Sequence, residues 1–415
     1  MQWLWDEKGR RYLDMFAGIV TVSVGHCHPR VNEAAEKQLK SLWHTSNIYL
    51  TRPIHEFAEK LTAKLPGNLK VCYFVNSGSE ANDLAMMLMR AHTGAWDLVS
   101  LRNAYHGMTP YCASLCSVSS YKRPQAGNSG VHHTMNADPY RGIWGGRNCR
   151  DSVVQTDRSC DCQSSCKAAD GYAGQFKDLL DHSISSKKMA GFFAESIQGV
   201  GGIVQFPKGF LPQVYEMVRS RGGLCVADEV QTGFGRPGSH FWGFETHGVT
   251  PDIVTMAKGI GNGFPLAAVV TTPEIAATLA QANHFNTFGG NPIACAIGSA
   301  VLDVIEEDKL QENCAVLGEH LIRELEGLRG KFEIVGDVRG KGLMIGVELV
   351  ESKKTKQPLA AAKMARIMDL TRQSGLLIGR GGNFGNVLRI QPPMCITRED
   401  ADFTVDVLRE SLQKL

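Results

Sequence analysis

The stretch LCVADEVQTGFGR, residues 224–236, is an apolar run that ends abruptly in two acidic residues. The residues that follow are polar and rich in glycine. In open α/β sheets, small molecules bind just beyond the carboxyl ends of the strands. The pattern predicts a buried strand that ends at Asp228. It leaves two interpretations of that carboxylate, an ordinary charged loop or one wall of a ligand site.

Short apolar segments of the same kind recur on both sides of this stretch, and helical patterns separate several of them. The segments comprise residues 70–75, 97–101, 191–195, 223–228, 252–258 and 266–272. Strands that alternate with helices are typical of a doubly wound, mainly parallel sheet. The sequence therefore predicts an α/β fold.

The pattern changes after residue 290, where two long helical stretches precede a group of strands. This change predicts a large domain over residues 46–290 and a smaller α+β domain over residues 291–415. Residues 1–45 are expected to pack with the smaller domain. Residues 136–174 are polar and rich in Gly, Asp and Cys, which indicates an irregular surface insertion.

Composition excludes several classes of protein. The net charge is only +2 over 415 residues, so the chain lacks the large positive charge that attracts nucleic acid. No apolar run approaches the roughly 20 residues that cross a bilayer. Twelve scattered cysteines favour free thiols in a reducing compartment. The start, MQWLWDEKGRRYLD, reads as a hairpin and not as an import leader. We therefore expect either that the protein has no import signal or that the given chain begins after one.

Several strand ends carry chemically active side chains. Ser77, Gly78 and Ser79 join a strand to a helix, where backbone N–H groups form a phosphate seat or the serine simply caps the helix. Tyr105 and His106 follow another strand, as an aromatic platform and an imidazole or as ordinary packing residues.

Lys258 follows the apolar residues DIVTMA, which is unusual for a lysine. A side chain that snorkels to the sheet edge is the simpler explanation. The next residues, GIGNG, lack the full glycine fingerprint of a dinucleotide loop.

Together these groups match the needs of pyridoxal phosphate. The cofactor's aldehyde needs a lysine, here Lys258, and its pyridine nitrogen needs an acid, here Asp228. Burial lowers the pKa of a lysine, so that its amine becomes a nucleophile and proton carrier near neutral pH. On this interpretation the opening stretch ends on a carboxylate because Asp228 faces a ring nitrogen.

The chain resembles the class-III, fold-type-I pyridoxal-phosphate aminotransferases over nearly its whole length. The motifs that carry the resemblance occur in the family's order and are NSGSEAN, YHG, ESIQG, ADEVQTGFGR, MAKGIGNGFP and TFGGNP. The resemblance implies a large domain with a mainly parallel sheet flanked by helices, plus a smaller α+β domain. It also implies a mitochondrial location.

The resemblance further implies a role for each matching residue. Lys258 would bond the cofactor, Asp228 would bind the pyridine nitrogen, and Gln231 would lie near the 3-hydroxyl. The remaining cofactor contacts would come from Gly78, Ser79, Tyr105, His106, Glu195, Val230 and Thr287. Thr287 would reach the phosphate in a neighbouring subunit, which makes the protein at least a homodimer.

Arg389, in VLRIQPP, matches the family's arginine for the substrate carboxylate. Relatives that handle ω-amines often carry a glutamate that masks this arginine, and Val200 stands in its place. The resemblance therefore implies transfer from L-alanine, and from β-amino acids such as β-aminoisobutyrate, to glyoxylate or pyruvate. The alternatives are an ω-amino acid aminotransferase or a phospho-lyase on the same scaffold, or a non-catalytic dimer, which would have lost Lys258 or Asp228.

Cys149, Cys160, Cys162 and Cys166 are the remaining cluster of interest, since four thiolates bind Zn²⁺ in structural sites. Their spacing differs from paired Cys-x₂-Cys knuckles, so free surface thiols and no metal are the expectation. His26 and His28 resemble ligands but lack further ligands at suitable spacing.

Overall fold

The computed structural model describes residues 1–122, 130–162, 165–184, 188–281 and 284–415. The other residues all belong to the predicted large domain, and two of them, 163 and 164, belong to the predicted insertion.

The strands, in chain order, are β1 Trp3–Trp5, β2 Arg11–Asp14, β3 Val71–Val75, β4 Leu98–Leu101, β5 Val131–Thr134, β6 Gly191–Glu195, β7 Leu224–Asp228, β8 Ile253–Met256, β9 Ala267–Thr271, β10 Val335–Lys341, β11 Met344–Leu349, β12 Leu376–Leu377, β13 Gly379–Gly381 and β14 Val387–Ile390.

The α-helices are α1 Ala17–Val20, α2 Pro29–Leu39, α3 Arg52–Ala63, α4 Gly78–Thr93, α5 Lys167–Ser183, α6 Phe210–Ser220, α7 Pro273–Ala277, α8 Pro292–Glu307, α9 Leu310–Lys331, α10 Ala361–Gln373 and α11 Arg398–Gln413. Among the described residues, no helix is both long and apolar enough to cross a membrane.

The main sheet has the order β3-β9-β8-β7-β6-β4-β5. All neighbouring pairs are parallel except those that involve β9, which runs antiparallel to β3 and to β8. The predicted α/β fold with a mainly parallel sheet is confirmed. The opening stretch forms β7 at the centre of this sheet, between β6 and β8, so their carboxyl ends meet at one edge.

Helices cover both faces of the sheet, which explains why its strands are nearly continuous apolar runs. Successive residues of a strand point to opposite faces. Cys225 of β7 accordingly packs in the core formed with α5 and α6, whereas Val226 packs in the core formed with α4.

The C-terminal part of the chain forms an antiparallel sheet of order β10-β11-β14-β13. The predicted N-terminal hairpin is confirmed as β1 and β2, and β2 pairs in parallel with β12 near the other end of the chain. One hydrophobic core includes residues on both sides of residue 290. The division into domains at that residue stays a prediction.

The predicted insertion, residues 136–174, differs from expectation in two ways. Its last residues are not irregular, because α5 begins at Lys167 and buries Ala168, Ala169 and Tyr172 at helical spacing. Nor does it lie wholly at the surface, since Arg150 is fully buried.

Arg150 connects the insertion to the C-terminal sheet through a buried ion pair. Its guanidinium donates to the two carboxylate oxygens of Asp337 at 2.7 and 3.2 Å. Asp337, on β10, also accepts from Arg339 at 3.0 Å, and Arg339 pairs with Glu348 at 2.7 Å. A buried charge is tolerated only when it is paired and hydrogen-bonded, so these groups fix how the two segments meet.

We expect Asp337→Asn to lower the free energy of unfolding by about 3–5 kcal/mol, because it leaves two buried arginines short of a counter-charge. The control is Glu319→Gln, which breaks the exposed Arg323–Glu319 pair and should cost less than about 1 kcal/mol. Urea denaturation of the cofactor-loaded proteins measures both changes. Equal midpoints for the two variants would contradict this role for Asp337.

Candidate active site

A cavity of about 130 Å³ lies at the carboxyl edge of β6 and β7. The residues that line it are Gly78, Ser79, Asn82, Tyr105, His106, Gly107, Glu195, Ile197, Asp228, Val230, Gln231 and Lys258. The structure thus brings nearly all of the predicted cofactor residues together. Thr287 and Arg389 are not part of this lining.

Asp228 is the last residue of β7 and is buried. Its Oδ2 accepts a hydrogen bond from Asn82 Nδ2 at 2.9 Å and lies 2.8 Å from His106 Nδ1. Since an ionised carboxylate only accepts, Nδ1 carries the hydrogen in that contact. The Val230 amide donates to Oδ1 at 3.1 Å. Three donors from three segments therefore hold the carboxylate at the cavity wall.

His106 is an anchor for Asp228. Burial lowers the pKa of the imidazole, but its hydrogen bond to Asp228 and the charges of Asp228 and Glu195 outweigh burial, so the net pKa is raised. The raised pKa favours the protonated imidazole. Nε2 of His106 is buried and has no hydrogen-bond partner among the described residues.

Glu229, the second acid of the opening stretch, has a different environment. Its carboxylate accepts from the Gly243 and Phe244 amides at 2.7 and 2.9 Å and from the Thr232 hydroxyl at 2.8 Å. Because consecutive residues diverge at a strand end, only Asp228 reaches the cavity. Glu229 stabilises the loop that follows β7.

Glu195 is the last residue of β6 and pairs in register with Asp228. Its carboxylate accepts from the Tyr105 and Gly199 amides at 3.1 and 2.7 Å. Burial, aided by the charge of Asp228, raises its pKa to about 7, although His106 and the two amides oppose the rise.

Lys258 lies two residues beyond the end of β8, where a short 3₁₀ turn begins. Its φ of +52° is a left-handed conformation that costs a non-glycine residue strain, and such strain is common at functional sites. Burial, aided by the positive charge of Arg389, lowers the pKa of its amine to about 8, against the opposing charges of Asp228 and Glu195. The amine is therefore partly neutral near neutral pH.

The N-terminus of α4 forms the other end of the cavity. The Ser77 hydroxyl caps the helix by accepting from the Glu80 amide at 3.2 Å. Within the described residues, the amides of Gly78 and Ser79 have no acceptor, which is the normal condition of the first helical residues. Such free amides favour an anion. Both interpretations of the motif, cap and phosphate seat, are compatible with this geometry.

The backbone geometry at Gly107 explains why the YHG motif, residues 105–107, ends in glycine. Its φ is +124°, and a Cβ atom there would lie 2.5 Å from the Ser79 hydroxyl oxygen. The Ser79 hydroxyl accepts from the Met108 amide at 3.1 Å. Only glycine lets the loop after β4 approach the start of α4 this closely.

Tyr105 and Val230 supply the apolar walls. The Tyr105 ring packs edge-on against Tyr121 at 4.9 Å between ring centroids. Burial raises the pKa of the Tyr105 phenol to about 12, so it stays protonated. A Cβ at Gly78 would lie 3.2 Å from Val230, so the helix start and this wall are in close contact.

Arg389, on β14, lies next to the cavity rather than in its lining. It donates to Gln231 Oε1 at 2.9 Å, and Gln391 donates to the same oxygen at 3.3 Å. Burial lowers the pKa of Arg389 to about 10, although Glu195 and Tyr121 raise it. Within the described ranges, no carboxylate lies within 4.0 Å of this guanidinium, and its Nε has no partner.

Three cavity residues were missed by the sequence analysis in this role, namely Asn82, Ile197 and Gly107. Asn82 lies four residues after Gly78, and residues four apart share a helix face, so the spacing within NSGSEAN could have identified it. Gln391, which contacts Gln231, follows Arg389 by two residues on the same strand face.

Comparison with known proteins establishes the family. The class-III aminotransferase family model matches residues 2–412. The chain belongs to the class-III aminotransferase family. It is 59% identical over 414 residues to the mitochondrial alanine–glyoxylate aminotransferase 2 of Homo sapiens, a match that covers 99% of this chain and 80% of the human protein.

Two solved structures share the whole fold. A phospholyase from Arthrobacter, in complex with phosphoethanolamine, is 33% identical with a TM-score of 0.88, over 100% of this chain and 93% of that one. An amine transaminase from an uncultivated Pseudomonas species, in its PLP-bound form, is 30% identical with a TM-score of 0.89. The match covers 100% of this chain and 93% of that one. The fold is therefore fold-type I, and pyridoxal phosphate is the cofactor.

The residues of this cavity fit that cofactor. A carboxylate, an amine and a helix N-terminus with free amides are the donor set that a pyridine nitrogen, an aldehyde and a phosphate require. Tyr105 and Val230 provide the apolar walls for a flat ring. The role of each residue in holding the cofactor stays a prediction.

The lowered pKa of Lys258 gives a pH test. The neutral amine captures the aldehyde, so the rate at which apoenzyme covalently takes up pyridoxal phosphate should rise about tenfold per pH unit and level off above about pH 8. Arg389→Gln removes a positive charge that lowers the pKa of Lys258, so the uptake rate of this variant should level off at a higher pH. Stopped-flow absorbance measures both profiles. A wild-type rate that still rises beyond pH 10 would contradict the assignment.

Proposed function

We propose that this enzyme transfers the amino group of L-alanine to glyoxylate, giving pyruvate and glycine. The observation that carries the proposal is the buried Arg389 guanidinium, which has no carboxylate partner among the described residues and lies 2.9 Å from Gln231 at the cavity. The name of the human relative, at 59% identity, supports the same reaction.

Each cavity residue has a role in this proposal. When bound, pyridoxal phosphate supplies an electron sink for the carbanion that forms at the substrate α-carbon. Asp228, fixed by His106 and Asn82, keeps a proton on the pyridine nitrogen. Lys258 would accept the donor's α-proton on Nζ and carry it for delivery to the aldehyde carbon of the bound cofactor.

Further residues position the cofactor. We infer that Gly78 and Ser79 bind its phosphate through their free amides, and that Tyr105 and Val230 enclose the ring. Gln231 would lie near the 3-hydroxyl, and Glu195 would lie beside the ring.

Arg389 selects the substrate by its carboxylate. A guanidinium binds a carboxylate through two parallel hydrogen bonds, which a substrate without an α-carboxylate cannot make. Alanine, glyoxylate and pyruvate all carry the carboxylate next to the reacting carbon. β-Aminoisobutyrate carries it one carbon further away and is proposed as a weaker donor.

Val200 leaves this arginine unmasked. Its carbonyl accepts from the Gly382 amide at 2.9 Å, and a Cβ at Gly381 would lie 2.9 Å from that carbonyl and 2.5 Å from Arg389 Cδ. The backbone at Val200 is therefore separated from Arg389 by a single residue. A longer acidic side chain at this position would compete with the substrate carboxylate.

Product analysis tests the proposal. Purified enzyme with L-alanine and glyoxylate should release equal amounts of pyruvate and glycine. Release of inorganic phosphate from phosphoethanolamine without an amino acceptor would instead support phospho-lyase activity, as in the name of the Arthrobacter phospholyase. Faster transfer from an ω-amine than from alanine would support the ω-aminotransferase alternative.

Val200→Glu is expected to lower kcat/KM for L-alanine by about tenfold more than kcat/KM for ornithine, an ω-amine donor. The new carboxylate should pair with Arg389, and a loss of 1.4 kcal/mol in transition-state binding corresponds to about tenfold. Val200→Gln is the matched control, with the same length but no charge. If both donors lose the same factor in the glutamate variant, Val200 does not face Arg389.

We also propose that the active unit is a homodimer. An exposed group of apolar residues, the apolar patch, consists of Leu42, Trp43, Ile48, Tyr49, Leu50, Phe285 and Phe288. Its two segments meet where the His44 and Phe288 rings lie 5.5 Å apart. Contiguous exposed apolar surface of this kind marks interaction sites.

The apolar patch adjoins the phosphate end of the cavity. Asn76, next to the start of α4, donates to Asn286 at 3.1 Å, and Thr287 is exposed beside it. Thr287 does not reach the cavity of its own chain, so the proposed phosphate contact comes from Thr287 of the partner subunit.

Phe288→Asp should therefore dissociate the dimer, so that sedimentation equilibrium gives the mass of a monomer. The affinity for pyridoxal phosphate should fall about tenfold or more, since a contact to its phosphate is lost with the partner. Val316→Asp, at an equally exposed position on α9, is the control and should change neither quantity. A wild-type protein that sediments as one chain with tightly bound cofactor would contradict the dimer.

A mitochondrial location is proposed as well. It rests on the name of the human relative. Fractionation of cells that express the full-length protein would test it.

A further inference from the structure

Four cysteines of the segment between β5 and α5 lie close together, and we call them the thiol cluster: Cys149, Cys160, Cys162 and Cys166. The sulfurs of Cys149, Cys160 and Cys162 all lie within 4.8 Å of one another. The Cys149 and Cys162 sulfurs are 3.8 Å apart. Cys166 lies outside this group of three, with its thiol beside those of Cys149 and Cys162.

The separation of the Cys149 and Cys162 sulfurs matches a tetrahedral metal site. Zinc–thiolate bonds of about 2.3 Å place the sulfurs of a tetrahedron about 3.8 Å apart. Thiolates are soft ligands and select zinc over harder cations. A set of pairwise disulfides would not require three sulfurs to lie within 4.8 Å of one another.

The start of α5 brings backbone amides close to two of the sulfurs. α5 is a helix of 17 residues that begins next to Cys166. The Lys167 amide lies near the Cys162 sulfur, and the Ala168 and Ala169 amides lie near the Cys166 sulfur. Amide groups at a helix N-terminus favour negative charge nearby, as on a metal-bound thiolate.

The chain folds back on itself to bring these cysteines together, and so their spacing along the sequence differs from that of paired Cys-x₂-Cys knuckles. The Arg147 amide donates to the Arg158 carbonyl at 2.7 Å and brings the arm with Cys149 beside the arm with Cys160. Sequence spacing favoured four separate surface thiols. In the structure Cys149 is fully buried, and the other three are partly buried around it.

We propose that the thiol cluster binds one Zn²⁺ ion per chain through four cysteine sulfurs, as a structural site distinct from the active site. All four positions are filled by protein ligands, so no position is open for catalysis. The ion would fix a segment that has little regular structure. That segment includes Arg150, whose ion pair with Asp337 ties it to the C-terminal sheet.

Elemental analysis of the holoenzyme tests the proposal directly. Protein purified under reducing conditions without a metal-binding tag, then dialysed against a weak chelator, should contain about one zinc per chain by plasma mass spectrometry. X-ray absorption at the zinc edge should show four sulfur neighbours at about 2.3 Å. Protein that binds no zinc even after anaerobic addition of Zn²⁺, or that carries disulfides by intact mass, would overturn it.

Variants locate the ion. Cys162→Ser should lose at least four-fifths of the zinc, whereas Cys27→Ser, an exposed cysteine outside the cluster, should keep it. The pyridoxal phosphate content of Cys162→Ser should change much less than its zinc content, which separates this site from the proposed active site. Zinc retained in Cys162→Ser and in Cys166→Ser would show that the ion binds elsewhere. If a variant fails to fold, the zinc content and the X-ray absorption spectrum of the wild-type protein still test the proposal.

Discussion

The hydrogen-bonded carboxylate of Asp228 is the constraint on which the site depends. An isolated buried charge is strongly unfavourable, so its donors must be in place when the chain folds. Asn82 comes from α4, His106 from the loop after β4, and the Val230 amide from the loop after β7 itself. One carboxylate therefore fixes three segments at the edge of the sheet, and those segments also provide the phosphate seat and the ring walls.

Charge balance around the cavity follows from the same arrangement. Asp228 and Glu195 end adjacent strands, His106 is hydrogen-bonded to Asp228, and Lys258 and Arg389 are two further positive groups near these carboxylates. Arg389 lowers the pKa of Lys258 while lying outside the cavity lining. In the proposed function, the same guanidinium would bind the substrate carboxylate and, together with burial, lower the pKa of the lysine amine.

Much of the fold and the site was predictable because the decisive residues follow short apolar strands. Alternation along β7 separates Asp228 from Glu229, but sequence alone did not show that Glu229 binds the amides of Gly243 and Phe244. The Gln231–Arg389 contact was not predicted, because only folding brings these residues together. The four cysteines were recognised as a group in the sequence, but their spacing favoured free surface thiols, and the close approach of three of the sulfurs comes from the fold. The helical start at Lys167 was missed because polar residues obscure its apolar face.

The most direct test of this account is the protonation state of the cofactor's ring nitrogen. Enzyme reconstituted with pyridoxal phosphate labelled with ¹⁵N in the ring should give the nuclear magnetic resonance shift of a protonated pyridinium. That shift should persist to a pH well above the value at which the free cofactor loses this proton, because a buried carboxylate faces the nitrogen. A shift typical of a neutral pyridine at neutral pH would contradict the assignment of Asp228 and, with it, the interpretation of the site.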